Sequence, residues 1–174
     1  YDRELLTLAA KRAEVREELL ADKDEKAANP WLFKGFYEGG PKVKQGQSAE
    51  DVLYDMQSEI ILELAEKGDC IIVGRCADYA LSDYEGAISV FIHADLDKRI
   101  KRIARKHELT DSAAKDRIQK TDKRRASYYN YYTSKKWGDA TTYDLCLNSG
   151  VLGIDGCVEM IKRAIEIKEG RRAK

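Results

Sequence analysis

Several things are scarce in this sequence, and each scarcity excludes something. Proline occurs twice and glycine 12 times in 174 residues, which excludes collagen-like and proline-rich architectures. Apolar runs such as Cys70-Ile71-Ile72-Val73 fall far short of the ~18 residues of a transmembrane helix. Four cysteines (Cys70, Cys76, Cys146 and Cys157) form no C-x-x-C pair, and with His93 and His107 as the only histidines no zinc-site spacing exists. Cys70 and Cys146 lie in strand-like runs and read as buried free thiols. With no signal-peptide pattern either, a reducing, cytoplasmic setting is expected. Net charge is also missing: 31 Lys+Arg offset 31 Asp+Glu.

What is present is 43% hydrophobic and 36% charged, enough for one globular domain with a real core. The charges are not evenly spread. Residues 1–97 carry 11 Lys/Arg and 21 Asp/Glu, whereas residues 98–136 carry 14 and 4. Neutrality is a cancellation between an acidic N-terminal half and one basic stretch. Such asymmetry points either to a phosphate-bearing ligand or to a solvated basic helix face.

Periodicity orders the chain. Leu5, Leu8, Ala9, Arg12, Val15 and Leu19 recur at helical steps over residues 3–21. Residues 22–47 read as a long loop, punctuated by Pro30, Pro41 and four glycines and holding Trp31, Phe33, Phe36 and Tyr37. Ser48 and Asp51 open a helix whose stripe is Leu53, Met56, Ile60 and Leu64, with Gly68 at its end. Cys70–Val73 and Ile88–Ile92 are continuous and largely β-branched, the pattern of buried strands. A helix over 96–106, a second from about 111 to 130 capped at Thr110-Asp111, a strand over 143–148 and a last helix ending near Gly170 complete the order. The pattern predicts an α/β fold, a parallel sheet covered by helices, with ligands beyond the carboxyl ends of the strands.

That rule directs attention to Gly74-Arg75. The glycine lets a ligand approach the backbone and the arginine fork suits a phosphate; a plain surface arginine fits the same letters. Asp78 either orients that guanidinium or begins a helix. The densest cationic segment runs from Arg117 through Lys120, Asp122, Lys123, Arg124 and Arg125 to Tyr128 and Tyr129. On a helix Arg117, Lys120, Arg124 and Tyr128 share one face, with Asp122, Arg125 and Tyr129 on an adjoining one. Three uses fit: neutralising transferring phosphoryl groups, gripping nucleic acid with the nearby tyrosines and Trp137, or plain solvation. A phosphate loop is not recognisable. The nearest candidate, Gly35 to Lys42, has Pro41 where the motif needs lysine, follows no strand and opens no helix.

Three runs, in this order, resemble the cytidylate kinase-like family: Ile72-Val73-Gly74-Arg75-Cys76-Ala77-Asp78, Thr121-Asp122-Lys123-Arg124-Arg125-Ala126-Ser127-Tyr128-Tyr129, and Tyr143-Asp144-Leu145-Cys146-Leu147-Asn148. Tyr1-Asp2-Arg3-Glu4-Leu5 is similar to that family just after its second strand. The resemblance implies a P-loop nucleoside-monophosphate-kinase-like fold, with a first strand and phosphate loop upstream of Tyr1 and a helical lid over residues 108–142 of a single domain 1–174. It implies transfer of a phosphoryl group from ATP, with Mg²⁺, to a nucleoside monophosphate, CMP above others. Arg75 would hold the acceptor phosphate with Gly74, Asp78 and Asp2 nearby. Arg117, Arg124 and Arg125 would be catalytic lid arginines, Asp122 would orient them or contact ligand, and Lys120 and Tyr128 would contact substrate. The alternatives are a kinase of another small molecule on this fold, or a nucleic-acid-binding module using residues 98–136. Nucleotides are the expected partners, a membrane is not, and nucleic acid belongs only to the alternative reading.

Overall fold

The computed structural model describes residues 1–2, 4–12 and 49–172. The expected continuation of the first helix to residue 21, the loop 22–47 with its four aromatics, and the Ser48 cap lie outside the described residues. The described chain forms two compact units, one from residues 1–87 and 124–135, the other from 88–123 and 136–174.

In the first unit, helix α1 (Glu4–Arg12) packs on helix α2 (Ala49–Lys67). Leu5 and Ala9 point inward and meet Leu53, Ile60, Ile61 and Ala77, a fully apolar cluster. The three- and four-residue spacing of these side chains puts them on one stripe of each helix, so their burial supplies the main drive for pairing. At the rim Arg12 donates to Glu63 at 2.8 Å. Gly68, with φ of 138°, ends α2 in a conformation that side-chain-bearing residues rarely adopt. A short helix α3 (Ala77–Ala80) follows.

In the second unit, strands β1 (Val90–His93) and β2 (Leu145–Asn148) form a parallel pair, Val90 opposite Leu145 and His93 opposite Asn148. The register is pinned just before both strands. Ser89 donates from its backbone nitrogen (2.8 Å) and its hydroxyl (3.0 Å) to Asp144, and the Asp144 nitrogen donates back to the Ser89 hydroxyl at 2.9 Å. A one-residue slip would break all three bonds and turn each side chain to the other face. The crossover between the strands holds helices α4 (Leu96–His107) and α5 (Asp111–Thr133). As the sequence predicts, Thr110 caps α5, its hydroxyl accepting from the Ala113 nitrogen at 3.2 Å. The long helix α6 (Ser149–Arg172) is broken at Gly153, where φ is 70° and ψ 179°. Phe91 stacks on Tyr143 and meets Trp137 edge-on, with centroids 5.0 and 5.4 Å away. Gly138 lies under that ring: an added Cβ would stand 3.1 Å from Phe91.

The α/β reading with parallel strands therefore holds, while the burial of its strands does not. Cys70–Val73 joins no sheet among the described residues. It bonds to the chain start on both sides of Ile72, Tyr1 donating to the Ile71 carbonyl and the Val73 nitrogen donating to the Tyr1 carbonyl at 2.8 Å. Ile71 is 81% exposed, because hydrophobic composition makes a strand coverable and only a neighbouring layer covers it. Cys70 and Cys146 are exposed free thiols, contrary to expectation, whereas Cys76 and Cys157 are buried ones. In β2 strand alternation explains this: Leu147 is buried, so adjacent Cys146 faces the other way. Among the described residues no helix is long and apolar enough to cross a membrane.

Candidate functional site

Past Val73 the chain turns through three successive residues of positive φ: Gly74 at 74°, Arg75 at 58° and Cys76 at 54°. An added Cβ on Gly74 would meet nothing within 4 Å, so its backbone angle rather than space favours glycine there. Arg75 and Cys76 have no such exemption, and a left-handed conformation costs each roughly 1–2 kcal/mol. The turn tucks Arg75 inside, where it is 7% exposed and its Nη2 lies 3.9 Å from an Asp2 oxygen. That separation is an ion pair at long range, beyond hydrogen-bonding distance. Asp78, in the first turn of α3, accepts a 2.5 Å hydrogen bond from the Tyr129 hydroxyl. Gly74, Arg75, Asp78 and Asp2 are thus in one unit, together with Arg124, Arg125 and Tyr128.

The C-terminal half of α5 reaches this unit as a row of tyrosines. Tyr132 stacks on Tyr54 with centroids 4.0 Å apart and donates to Asp51 at 3.1 Å, and Tyr128 packs against both rings. Tyr128 and Tyr129 are buried, so the rings that the sequence offers as a stacking platform for bases face inward, with Tyr131 exposed. Burial, and after it the charge of Asp51, pushes the Tyr132 hydroxyl far above its ordinary value; burial likewise raises that of Tyr54. Both shifts favour the neutral form in the folded state. Their contribution to stability is fully present below the unfolded value of about 10 and is lost as pH climbs past it toward the folded value. Phenolate absorbance followed against far-ultraviolet circular dichroism should show Tyr132 ionising only as the fold opens and Tyr54 later than the exposed tyrosines. Ionisation of the full tyrosine set near pH 10 in still-folded protein would contradict this.

The other expected residues belong to the second unit. Arg117 and Lys120 are exposed on α5. Asp122 accepts from Arg99 of α4 at 2.7 Å, both side chains being partly exposed. Arg99 is a partner that sequence reasoning missed, since it sits 23 residues earlier on another helix. The carboxyl ends of β1 and β2 also come together, where open α/β sheets bind ligands. There Ser149 donates to the His93 carbonyl at 3.0 Å, Lys98 donates to the Gly150 carbonyl, and Asn148 accepts from the Gly150 nitrogen at 2.9 Å. Strand ends predicted this place, and of its polar residues Asn148 closes the third run of the family resemblance.

The sequence profile of the cytidylate kinase-like family matches residues 1–151 of this chain. The cytidylate kinase of Archaeoglobus fulgidus is 32% identical over 112 residues, 62% of this chain and 59% of the relative. That of Thermococcus sibiricus is 27% identical over 133 residues, 74% of this chain and 67% of the relative. The crystal structure of an uncharacterized protein from Eubacterium ventriosum is similar with a TM-score of 0.65 and 36% identity, covering 67% of this chain and 74% of that one. The chain spans about 60% of the length of the first curated relatives it matches.

Proposed function

Because the chain belongs to the cytidylate kinase-like family, we propose that it transfers the γ-phosphate of ATP to a nucleoside monophosphate, with CMP as the acceptor. The observation that carries this reading is Arg75, a guanidinium buried to 7% exposure in a left-handed turn, with the Asp2 carboxylate 3.9 Å away. Burying a charge costs several kcal/mol in its own right, and a phosphate dianion entering beside it would be gripped bidentately at low dielectric. The Asp2 carboxylate beside Arg75 is mostly exposed.

Phosphoryl transfer asks a protein mainly for positioning and charge neutralisation. Arg75 would fix the acceptor. Arg117, Arg124 and Arg125 would close over the transferring group as part of a lid over residues 108–142, with Lys120 adding charge and Asp122 held in place by Arg99. Mg²⁺ supplies further neutralisation of the nucleotide phosphates when bound. Among the described residues no group of three His, Cys, Asp or Glu side chains is placed to hold a metal, whereas the exposed arginines and lysines of α5 suit polyphosphate oxygens.

The test is a coupled assay of the full-length protein with ATP, Mg²⁺ and a panel of monophosphates, extended to non-nucleotide acceptors. Turnover of CMP with the highest kcat/KM is the expected outcome. Folded protein that phosphorylates no monophosphate would sink the reading, and turnover of a non-nucleotide alone would move it to another small-molecule kinase.

A further inference from the structure

The Arg75 turn poses a physical question: what keeps it in place? Three successive positive φ angles, two of them on residues with a Cβ, persist only where the surroundings hold both flanks. The incoming flank is held by the bonds of Tyr1 to Ile71 and Val73. The outgoing flank is α3, four residues long, far too short to be stable alone. Backbone bonds close the turn locally, the Ala77 nitrogen donating to the Gly74 carbonyl at 3.1 Å, and tertiary contacts hold α3 against the rest of its unit. The burial of Ala77 in the apolar cluster is one and is not directional, whereas the hydrogen bond from Tyr129 to Asp78 is.

We infer that Tyr129 is a positioning residue, whose hydroxyl, through Asp78 and α3, holds the left-handed turn that aims the Arg75 guanidinium. Tyr129 is 5% exposed and its bond to a carboxylate is short at 2.5 Å, the geometry of a strong charge-assisted contact. The ring cannot relocate, because its own helix is fixed beside it by Tyr132 on Asp51 and by the stack on Tyr54. Asp78 acts here through the backbone of its short helix, which starts one residue past the turn. The inference rests on the acceptor role proposed for Arg75.

The experiment compares wild type, Tyr129→Phe and the exposed control Tyr131→Phe in the full-length protein. CMP and ATP binding are measured by calorimetry, and amide exchange is read over residues 75–81. Tyr129→Phe should weaken CMP about tenfold, in line with losing part of a bond to a charged group, leave ATP affinity within about twofold, and speed exchange of the segment. Asp78→Asn, which keeps an oxygen to accept the bond, should lose less CMP affinity than Asp78→Ala. Adding Tyr129→Phe to Asp78→Ala should cost nothing more. Unchanged CMP binding in Tyr129→Phe overturns the inference, as does an equal loss of CMP and ATP, which would mark Tyr129 as generally structural. Wild type that binds no monophosphate would defeat the acceptor reading instead. The exchange comparison would still decide whether Tyr129 holds the turn.

Discussion

Arg124→Ala should lower kcat by roughly 10³–10⁵-fold while the KM for the monophosphate moves little, the effect seen when a transition-state arginine is removed from a phosphoryl-transfer site. The expectation follows from what the reaction needs. Charge builds on the transferring oxygens, and a planar fork with two parallel donors meets it better than a point charge. On α5 Arg124 lies seven positions after Arg117 and four before Tyr128, so these share a face. Arg124 is exposed, which makes wholesale unfolding of the variant an unsuitable explanation for a kinetic loss. Arg124→Lys should recover only part of the rate. Single-turnover measurement keeps product release from masking the chemical step. A kcat within tenfold of wild type would remove Arg124 from the transition state and leave Arg117 or Arg125 in that role.

Arg75→Ala should act on binding instead. Loss of a charge-assisted contact of about 1.5–3 kcal/mol weakens the monophosphate by about 10–150-fold. Arg75→Lys should lose much of the same affinity, because lysine offers no fork and its point charge is more strongly hydrated. Calorimetry with CMP reads the effect. A nucleic-acid-binding protein would behave otherwise: its affinity for RNA would fall steeply with salt and ignore Arg75→Ala. CMP binding unaltered by the substitution would exclude Arg75 from the acceptor site.

Helices with a strong apolar stripe are legible in the sequence: the spacing of Leu53, Met56, Ile60 and Leu64 marks the inner face of α2, and of these Leu53, Ile60 and Leu64 pack in or against the core cluster. Gln57 is not legible. It lies four positions from both Leu53 and Ile61, is 1% exposed, and among the described residues neither its amide oxygen nor its amide nitrogen has a hydrogen-bond partner. Polarity argues against burial in a sequence, while helical geometry buries whatever stands on that face. Gly74-Arg75 stands out through its position after a branched run, yet its left-handed backbone is unreadable, since arginine and cysteine have no preference for it. The tyrosines of 128–132 are visible as a cluster, but Tyr54, Asp51 and Asp78 come from distant parts of the chain, and only folding brings them together. Continuous periodicity over 111–133 likewise conceals that its two halves serve different units.

That last feature bears on how the protein is made. The first unit is interrupted by residues 88–123, so a ribosome emits the whole of that interval before supplying Tyr128, Tyr129 and Tyr132. Tyr129 trails its partner Asp78 by 51 residues and Tyr132 trails Asp51 by 81. Contacts so far apart in sequence form late, after loop closure has been achieved. A nascent chain stopped at residue 87 would have α1 and α2 with the tyrosine-facing side open to water and the Arg75 turn still without its Tyr129 anchor. Neither unit can be cut from the gene as an unbroken fragment, and the arrival of half of one helix completes the first.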